Sequence, residues 1–308
     1  MVLGYIAMAA TLFLWSGFFL SLRGGPVTSL HPADIALARF VIPTLVLMPF
    51  VAKYRAQLKA TPVKYLFGVT LGSGLPYLLV AGTAMQTVPV AHGSAMIPGT
   101  LPLFVSAIAV LFYHQALSKQ RIIGLIAVLL GISSFLLSNL GGSYQSELLQ
   151  GHGLLLLGSL MWAIFTISAR VANLNTYACA GLVAIFSLVM LLAAISFGWL
   201  PSLLAETPVE QWPWKALTWH LLLQGVGAGL LASFTFIYSI KTIGAEASAA
   251  LGSLTPVVAT LLAYLVFNEI PDNITLIALM FVTGGSILAS NVFMNQAQHN
   301  QYQPHIRR

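Results

Sequence analysis

The segment AMIPGTLPLFVSAIAVLF, residues 95–112, decides the fold of this chain. It is almost entirely apolar and nearly as long as the roughly 20 residues that a helix needs to cross a bilayer. It nevertheless carries Pro98, Gly99 and Pro102 near its start, and proline removes a backbone donor from a helix interior. We therefore predict a membrane helix that is interrupted at these residues.

Composition places the whole chain in a membrane. Of its 308 residues, 58% are hydrophobic and only 6% are charged, which excludes an ordinary soluble domain. Uncharged intervals hold nine spans, and a tenth fits between Asp34 and Lys53 if Arg39 lies within the membrane. The predicted spans are 3–22, 33–52, 64–86, 91–113, 120–139, 151–171, 176–199, 216–240, 245–267 and 273–294.

The positions of the cations predict the orientation, because Lys and Arg in short loops stay on the cytoplasmic side. With both termini inside, Arg23 and Lys215 are the only Lys or Arg residues of the sequence that fall in outer loops. We expect a multi-pass protein of the bacterial inner (plasma) membrane with both termini cytoplasmic. The net charge of +6 follows from this topology, so no nucleic-acid partner is expected. The inner cations are Lys53, Arg55, Lys59, Lys64, Lys119, Arg121, Arg170, Lys241, Arg307 and Arg308.

The interrupted segment occurs twice. A shift of 154 residues places Pro102 on Pro256, and a shift of 147 places Trp15 on Trp162. Because each copy has five spans, an odd number, the second copy must enter the membrane inverted, as in many transporters. We predict an all-α integral membrane protein with ten transmembrane helices in two inverted-topology five-helix repeats. The predicted units are the first repeat 1–139, an outer connecting loop 140–150, the second repeat 151–294 and a cytoplasmic polar tail 295–308.

Two broken helices of opposite orientation that face each other would line a cavity with small residues and backbone groups. Pro98, Pro102 and Pro256 are therefore predicted to mark gates or kinks on a solute path. Bending for helix packing alone explains such prolines equally well.

The doubled pattern resembles the drug/metabolite transporter superfamily, in its ten-helix branch of two EamA-type repeats. The residues that carry the resemblance are HPADIALARFVIP (31–43), AMQTVPVAHGSAMIPGTLPLFVSAIAVLF (84–112) and YSIKTIGAEASAALGSLTPVVATLLAYLVFNE (238–269). The resemblance implies a transporter of amino acids, nucleobases, sugars or related metabolites, often outward. One departure from the family pattern is visible. The family has an acidic residue after the last-but-one helix of each half, and this position is Glu269 in the second copy but Gln115 in the first.

Aromatic residues are the first candidates for a substrate site. Trp15 and Trp162 lie about 17 Å along their spans, near the bilayer centre, where the interfacial role of membrane Trp does not apply. An indole there offers a flat apolar face to a substrate, although core packing explains it as well. Tyr77 and Tyr238 add rings with hydroxyl groups on the third and eighth spans.

Arg39 is the second candidate, at about 8 Å below the outer end of its span. A cation at that depth is costly and indicates a function, either structural or in recognising a carboxylate. Snorkelling to the surface or pairing with Asp34 remain as alternatives.

The fourth span and its copy provide the remaining candidates. His92 and Glu246 occupy the first turns of these helices, at the predicted outer and inner rims, and are predicted gates. Stabilisation of Glu246 by the helix dipole and an ordinary hydrogen bond for His92 are the alternatives. Helical spacing from these residues adds Met96, Gly99 and Ser253 as substrate contacts.

Several absences restrict the mechanism. No span centre holds Asp or Glu, no phosphate-binding loop is present and no Cys/His cluster has metal-ligand spacing. We expect no cofactor, no metal, no catalytic residue and no enzyme activity. Facilitated diffusion or exchange is the simplest mechanism, and any proton coupling would run through His92 or Glu246.

The predicted function is alternating-access export of small metabolites, with neutral or aromatic amino acids preferred. The expected partners are the small-molecule substrate and the lipid bilayer, with the protein a monomer or homodimer. Export of hydrophobic drugs or other metabolites is the alternative. A remote alternative is an intramembrane protease, for which Ser73 and His92 are the plausible pair.

Overall fold

The computed structural model of the chain describes residues 1–25, 28–137 and 145–290, apart from the side chains of Gln145, Ala245 and Glu246. The predicted tail 295–308 and residues 140–144 of the predicted connecting loop lie outside this part. Every regular element in the described ranges is helical, and a 3₁₀ turn (Val209–Gln211) and a π-helix (Leu221–Leu231) join the α-helices. The α-helices are α1 (Val2–Gly24), α2 (Pro32–Lys53), α3 (Arg55–Ala60), α4 (Val63–Ser73), α5 (Leu75–Thr87), α6 (Val90–Tyr113), α7 (Lys119–Leu137), α8 (Gln145–Val171), α9 (Thr176–Ser196), α10 (Leu203–Glu206), α11 (Trp214–His220), α12 (Ala232–Ile243), α13 (Ala245–Gly252), α14 (Thr255–Phe267) and α15 (Asn273–Ala289).

Nine helical stretches of the described chain are long and apolar enough to cross a membrane. The tenth, α15, has 17 residues, which at about 1.5 Å per residue falls slightly short of a roughly 30 Å hydrocarbon core. Residues 291–294, the predicted end of this span, lie outside the described part. The prediction of an all-α membrane protein with about ten helices is confirmed.

The third span is divided into α4 and α5, which the sequence did not predict. Gly74 separates the two helices in an extended conformation. The Leu75 N–H, which has no acceptor in the first turn of α5, donates to Ser187 Oγ of α9 at 2.9 Å. A Cβ on Gly74 would lie 2.6 Å from the same oxygen, so glycine lets the break fit against α9.

The predicted proline interruption occurs in only one of the two copies. In the ninth span α13 ends at Gly252 and α14 begins at Thr255, with Pro256 in its first turn. In the fourth span α6 continues through Pro98 and Pro102 without a break. The prediction of two broken helices is therefore correct for the ninth span and wrong for the fourth.

One side-chain hydrogen bond at the break differs between the copies. The Thr255 hydroxyl donates to the Gly252 carbonyl oxygen at 2.7 Å and so satisfies an acceptor that the break exposes. The 154-residue shift places Leu101 at the corresponding position of the first copy, and leucine has no donor. Next to it, Thr100 donates to the Met96 carbonyl oxygen at 2.5 Å, within an unbroken helix.

The segments between spans contain more helix than predicted. Residues 145–150, predicted as part of the connecting loop, form the first turns of α8. Glu147 lies in that first turn, where the helix dipole stabilises a carboxylate. The short helices α3 and α10 were also not predicted.

Packing joins each half of the chain to the other. The main contacts are α1 with the π-helix, α12 and α14; α8 with α4, α5 and α6; α2 with α9 and the π-helix; α6 with α14 and α15; and α7 with α15. Apart from the contact of α6 with α15, these pairings are preserved when the five spans of one half are exchanged, in order, for the five of the other. We call the end of the bundle where α1 terminates the outer end, in keeping with the predicted orientation.

Candidate functional site

A cluster of aromatic rings and one arginine lies between the two halves. The rings of Phe18 and Tyr77 are nearly parallel with centroids 6.3 Å apart, and Trp162 lies 5.1 Å from Tyr77. The guanidinium carbon of Arg39 is 5.3 Å from the Phe18 ring centroid. The structure thus brings together Arg39, Tyr77 and Trp162, which the sequence predicted as site residues. We call Phe18, Arg39, Tyr77, Trp162 and Gln224 the arginine cluster.

Close packing of α2 on the π-helix positions Arg39. A Cβ on Gly225 would lie 2.5 Å from the Ala38 carbonyl oxygen, and one on Gly229 would lie 3.2 Å from that of Arg39. The two glycines therefore let the helix backbones approach closely. At this separation Arg39 Nη1 donates to the Gln224 carbonyl oxygen at 3.3 Å.

Within the described chain Arg39 forms no ion pair, since the one recorded there joins Arg23 and Glu269. Arg39 is half-buried, so its guanidinium is not fully enclosed by the surrounding side chains. A guanidinium presents five donors in a planar fork that matches a carboxylate, and its charge is costly at membrane depth. Arg39 can therefore hold an anionic group.

Asp34, the predicted alternative partner of Arg39, has another role. Its carboxylate is fully buried and accepts hydrogen bonds from Ser202 Oγ at 2.6 Å and from the Leu203 N–H at 3.1 Å. It also accepts from the backbone of His31 at 2.9 Å. Asp34 therefore ties the start of α2 to α10 at the outer end.

The two tryptophans that the repeat superposes have matching neighbours. Trp162 of the sixth span packs against Tyr77 of the third, and Trp15 of the first span packs against Phe236 of the eighth with centroids 4.9 Å apart. Both tryptophans are half-buried. Each one therefore presents an indole beside an aromatic ring of the opposite half.

Four other predicted contacts lie outside the arginine cluster. Met96 has no exposed surface, and the Gly99 carbonyl oxygen accepts from Ser286 Oγ of α15 at 3.1 Å. Ser253 follows Gly252, whose added Cβ would lie 3.4 Å from the Trp15 ring. Tyr238 is 45% exposed, and no ring contact recorded in the described ranges involves it.

The predicted gate at the inner rim is not described in full. The backbone of Glu246 belongs to α13, but its side chain lies outside the part of the chain that the structure describes.

A pocket of about 490 Å³ opens at the outer end. Arg23 Nε donates to Glu269 Oε1 at 2.7 Å, and Glu269 Oε2 accepts from the Val90 N–H at 2.9 Å, so Glu269 joins α1 to α6. The lining contains none of the arginine cluster. It consists of Arg23, Gln86, Thr87, Pro89, Ala91, His92, Glu147, Leu148, Thr260, Ala263, Glu269, Ile270, Pro271, Asp272 and Thr275.

An apolar layer lies between this pocket and the arginine cluster. Phe19 packs edge-on against Phe18 at 5.1 Å, and both Phe19 and Met85 are buried. Gly93 follows the pocket residue His92, and the Met85 sulfur packs directly against it. A Cβ added to Gly93 would lie 3.7 Å from the Phe19 ring. Phe19 and Met85 therefore separate the pocket from the arginine cluster.

His92, the predicted outer gate, belongs to a buried polar chain under the pocket. Its Nδ1 is 2.9 Å from His152 Nε2, and its Nε2 is 3.2 Å from Thr275 Oγ1. The Thr275 N–H in turn donates to Asp272 Oδ1 at 2.7 Å. The hydrogen bonds from Thr275 lower the pKa of the Asp272 carboxyl, so this cap of α15 is ionised at neutral pH.

Comparison with known proteins now identifies the family. The sequence model of the EamA-like transporter family matches residues 2–137 and matches again over residues 149–291. The chain belongs to the EamA-like transporter family. The predicted resemblance is confirmed, and this multi-pass membrane protein is a member of a transporter family.

Two similar proteins extend the comparison. This EamA-like transporter is 24% identical, over 256 residues, to the S-adenosylmethionine uptake transporter of Rickettsia bellii (strain RML369-C). The aligned region covers 81% of this chain and 80% of the relative. A chain in a solved crystal structure superposes with a TM-score of 0.60 at 20% identity, covering 93% of this chain and 96% of that chain. At that identity the second likeness shows the fold alone.

The geometry of this EamA-like transporter does not support the protease alternative. Ser73 Oγ donates to the Val69 carbonyl oxygen at 2.9 Å, and the two ring nitrogens of His92 are engaged by His152 and Thr275. Ser73 and His92 therefore do not form a nucleophile and base pair.

Sequence reasoning missed three residues that the structure places in or near these sites. Phe18 reads as an ordinary apolar residue, and only the position of Arg39 gives it a partner. Gln224 had a visible signal, because it is a polar residue within an apolar span, whereas His152 lies at the very start of its predicted span.

Proposed function

We propose that this transporter exports zwitterionic metabolites, with neutral and aromatic amino acids as its main substrates, by alternating access. The observation that carries the proposal is Arg39, a half-buried guanidinium that forms no ion pair in the described chain and lies over the ring of Phe18. A substrate carboxylate would supply the missing charge. Tyr77 and Trp162 would then contact an apolar or aromatic side chain.

The proposed mechanism rests on two inverted repeats, with units at 1–139 and 151–294. Three features support it: most of the helix pairings, the tryptophan contacts and two polar contacts between loops are preserved on exchange of the halves. Asp34 holds the 202–204 segment at the outer end. Gln57 Nε2 donates to the Asn173 carbonyl oxygen at 2.8 Å at the other end, between the corresponding loops of the opposite halves.

Alternating access requires one closed path at a time. The conformation described is closed on the outer side by the layer of Phe19 and Met85, and the Arg23–Glu269 ion pair lies above that layer. We propose that outward release separates these contacts. The charge distribution of the loops supports an inner-membrane location with both termini cytoplasmic.

The direction of transport is part of the proposal. The Rickettsia bellii relative is named for uptake of S-adenosylmethionine, itself an amino acid derivative with an aromatic base, which supports a zwitterionic substrate class. Export is inferred from the resemblance, and a carrier without coupling moves its substrate down either gradient. Cationic drugs that lack a carboxylate are disfavoured, because they offer Arg39 no anionic group and their charge is repelled by the guanidinium.

Counterflow in liposomes tests the substrate class. Purified protein is reconstituted into vesicles loaded with unlabelled phenylalanine, and entry of radiolabelled phenylalanine is measured for the wild type and for Arg39→Ala. We expect accumulation with the wild type and a loss of at least roughly tenfold with the variant. Arg170→Ala, in the last turn of α8, is the matched control and should behave as wild type. Transport of a quaternary ammonium dye without any amino acid would overturn the proposal.

A further inference from the structure

Gln224 contains a buried acceptor that lacks a donor. Its Nε2 donates to the Phe18 carbonyl oxygen at 3.1 Å, which fixes the orientation of the amide. Its Oε1 has no hydrogen-bond partner in the described chain, although the residue is fully buried. Buried polar groups are nearly always paired, so this oxygen requires an explanation.

The chemistry of an amide oxygen makes this case distinctive. The other buried unpartnered atoms in the described residues are hydroxyl oxygens of Thr44, Ser159 and Thr283. A hydroxyl can turn its proton toward a carbonyl of its own helix, whereas an amide oxygen only accepts. Water is scarce at membrane depth, so Oε1 needs a donor from a side chain or from a solute.

The position of Gln224 connects this acceptor to Arg39. The backbone carbonyl of Gln224 accepts from Arg39 Nη1 at 3.3 Å, and its side chain is fixed to Phe18, whose ring lies under the guanidinium. Gln224 also belongs to the π-helix Leu221–Leu231. π-helical turns are rare and occur frequently at functional sites. The arginine cluster therefore contains both the donor fork of Arg39 and the unpartnered acceptor of Gln224.

We propose that Gln224 Oε1 accepts a hydrogen bond from the ammonium group of an α-amino acid whose carboxylate is bound by Arg39. This inference rests on the proposed function and deepens it, because it makes both charged groups of the zwitterion necessary. In the conformation described the amide is shielded, so the ammonium group reaches it when α1 and the π-helix separate.

The test compares solutes that lack one charged group. Uptake of radiolabelled phenylalanine into proteoliposomes is competed with unlabelled phenylalanine, 3-phenylpropionate or phenethylamine. For the wild type we expect 3-phenylpropionate, which lacks the ammonium group, to compete roughly 10- to 100-fold more weakly than phenylalanine. Phenethylamine, which lacks the carboxylate, should compete weakly as well.

Variants assign the discrimination to Gln224. Gln224→Met keeps the size of the side chain but removes the acceptor. In this variant phenylalanine and 3-phenylpropionate should compete to within roughly threefold of each other. Thr283→Val removes an unpartnered polar atom outside the cluster, and should retain wild-type discrimination.

The outcomes separate the two proposals. If the wild type carries no phenylalanine, the proposed function fails. If it carries phenylalanine but 3-phenylpropionate competes equally well, the role of Gln224 is overturned and the proposed function stands. The same holds if Gln224→Met transports with unchanged discrimination. The wild-type comparison needs no variant, so a poorly folding Gln224→Met leaves the inference falsifiable.

Discussion

The guanidinium of Arg39 and the ring of Phe18 lie 5.3 Å apart, on helices α2 and α1. An arginine over an aromatic face is stabilised by the ring quadrupole, which offsets part of the cost of a cation at membrane depth. Because the ring leaves the planar donor fork available, this contact holds the charge in place without neutralising it. The first prediction depends on this arrangement.

Arg39→Lys should retain transport with a raised KM for phenylalanine, by roughly tenfold. Lysine keeps the charge but loses the bidentate geometry that matches a carboxylate. Initial rates over a range of phenylalanine concentrations in proteoliposomes measure the effect. Arg121→Lys, at the start of α7, should leave KM unchanged. An unaltered KM in Arg39→Lys would contradict direct carboxylate recognition.

Trp162→Ala should weaken transport of aromatic amino acids more than that of alanine, by roughly three- to tenfold, since the indole and Tyr77 form one aromatic surface. Competition by phenylalanine and by alanine in the same vesicles gives the ratio. Trp199→Ala, at a position 75% exposed, is the control. A uniform loss for both amino acids would indicate a packing role for Trp162.

Glu269→Gln should favour the outward-open conformation, because it removes the ion pair with Arg23. Met96→Cys, at a buried position, reports the opening when Cys179 is replaced by Ser. Labelling by a membrane-impermeant maleimide from outside should accelerate about fivefold, consistent with loss of about 1 kcal/mol. Glu147→Gln, also in the pocket, should not change the rate. Equal labelling in both backgrounds would exclude this ion pair as a lock.

Asp34→Ala should lower the free energy of unfolding by about 2–4 kcal/mol, because it leaves several buried donors of the 202–204 segment unpaired. The thermal midpoint in detergent should fall by roughly 5–10 °C. Gln57→Ala removes exposed hydrogen bonds and should cost under about 1 kcal/mol. Similar losses for both variants would argue against the special role of the Asp34 carboxylate.

Transport should not depend on an imposed pH gradient. The sequence places its Asp and Glu residues at the ends of spans or in loops, and the His92–His152 pair lies below the outer pocket rather than in the arginine cluster. Addition of a proton–potassium exchanger to vesicles with a pH gradient should leave the initial rate unchanged. Collapse of transport would show proton coupling, and His92→Gln would then identify the site.

Sequence patterns predicted the membrane fold because hydropathy and cation placement act over whole spans. They also predicted Arg39, Tyr77 and Trp162, since charge and aromatic size are visible without a structure. They did not predict the divided third span, because its stability depends on Ser187, a residue more than 100 positions away. The unbroken α6 was missed because prolines in a span suggest a break, and the sequence pattern does not distinguish a helix that continues past them from one that ends, as α13 does at Gly252.

The Thr255 junction gives the two halves unequal mechanical properties. The continuous α6 has no break in its helix, whereas the α13–α14 pair can bend at residues 253–254 while the rest of either helix stays fixed. We therefore expect opening toward one face of the bilayer to bend the ninth span at this junction. Substitutions at residues 253–254 should then change the lifetime of one open state more than that of the other.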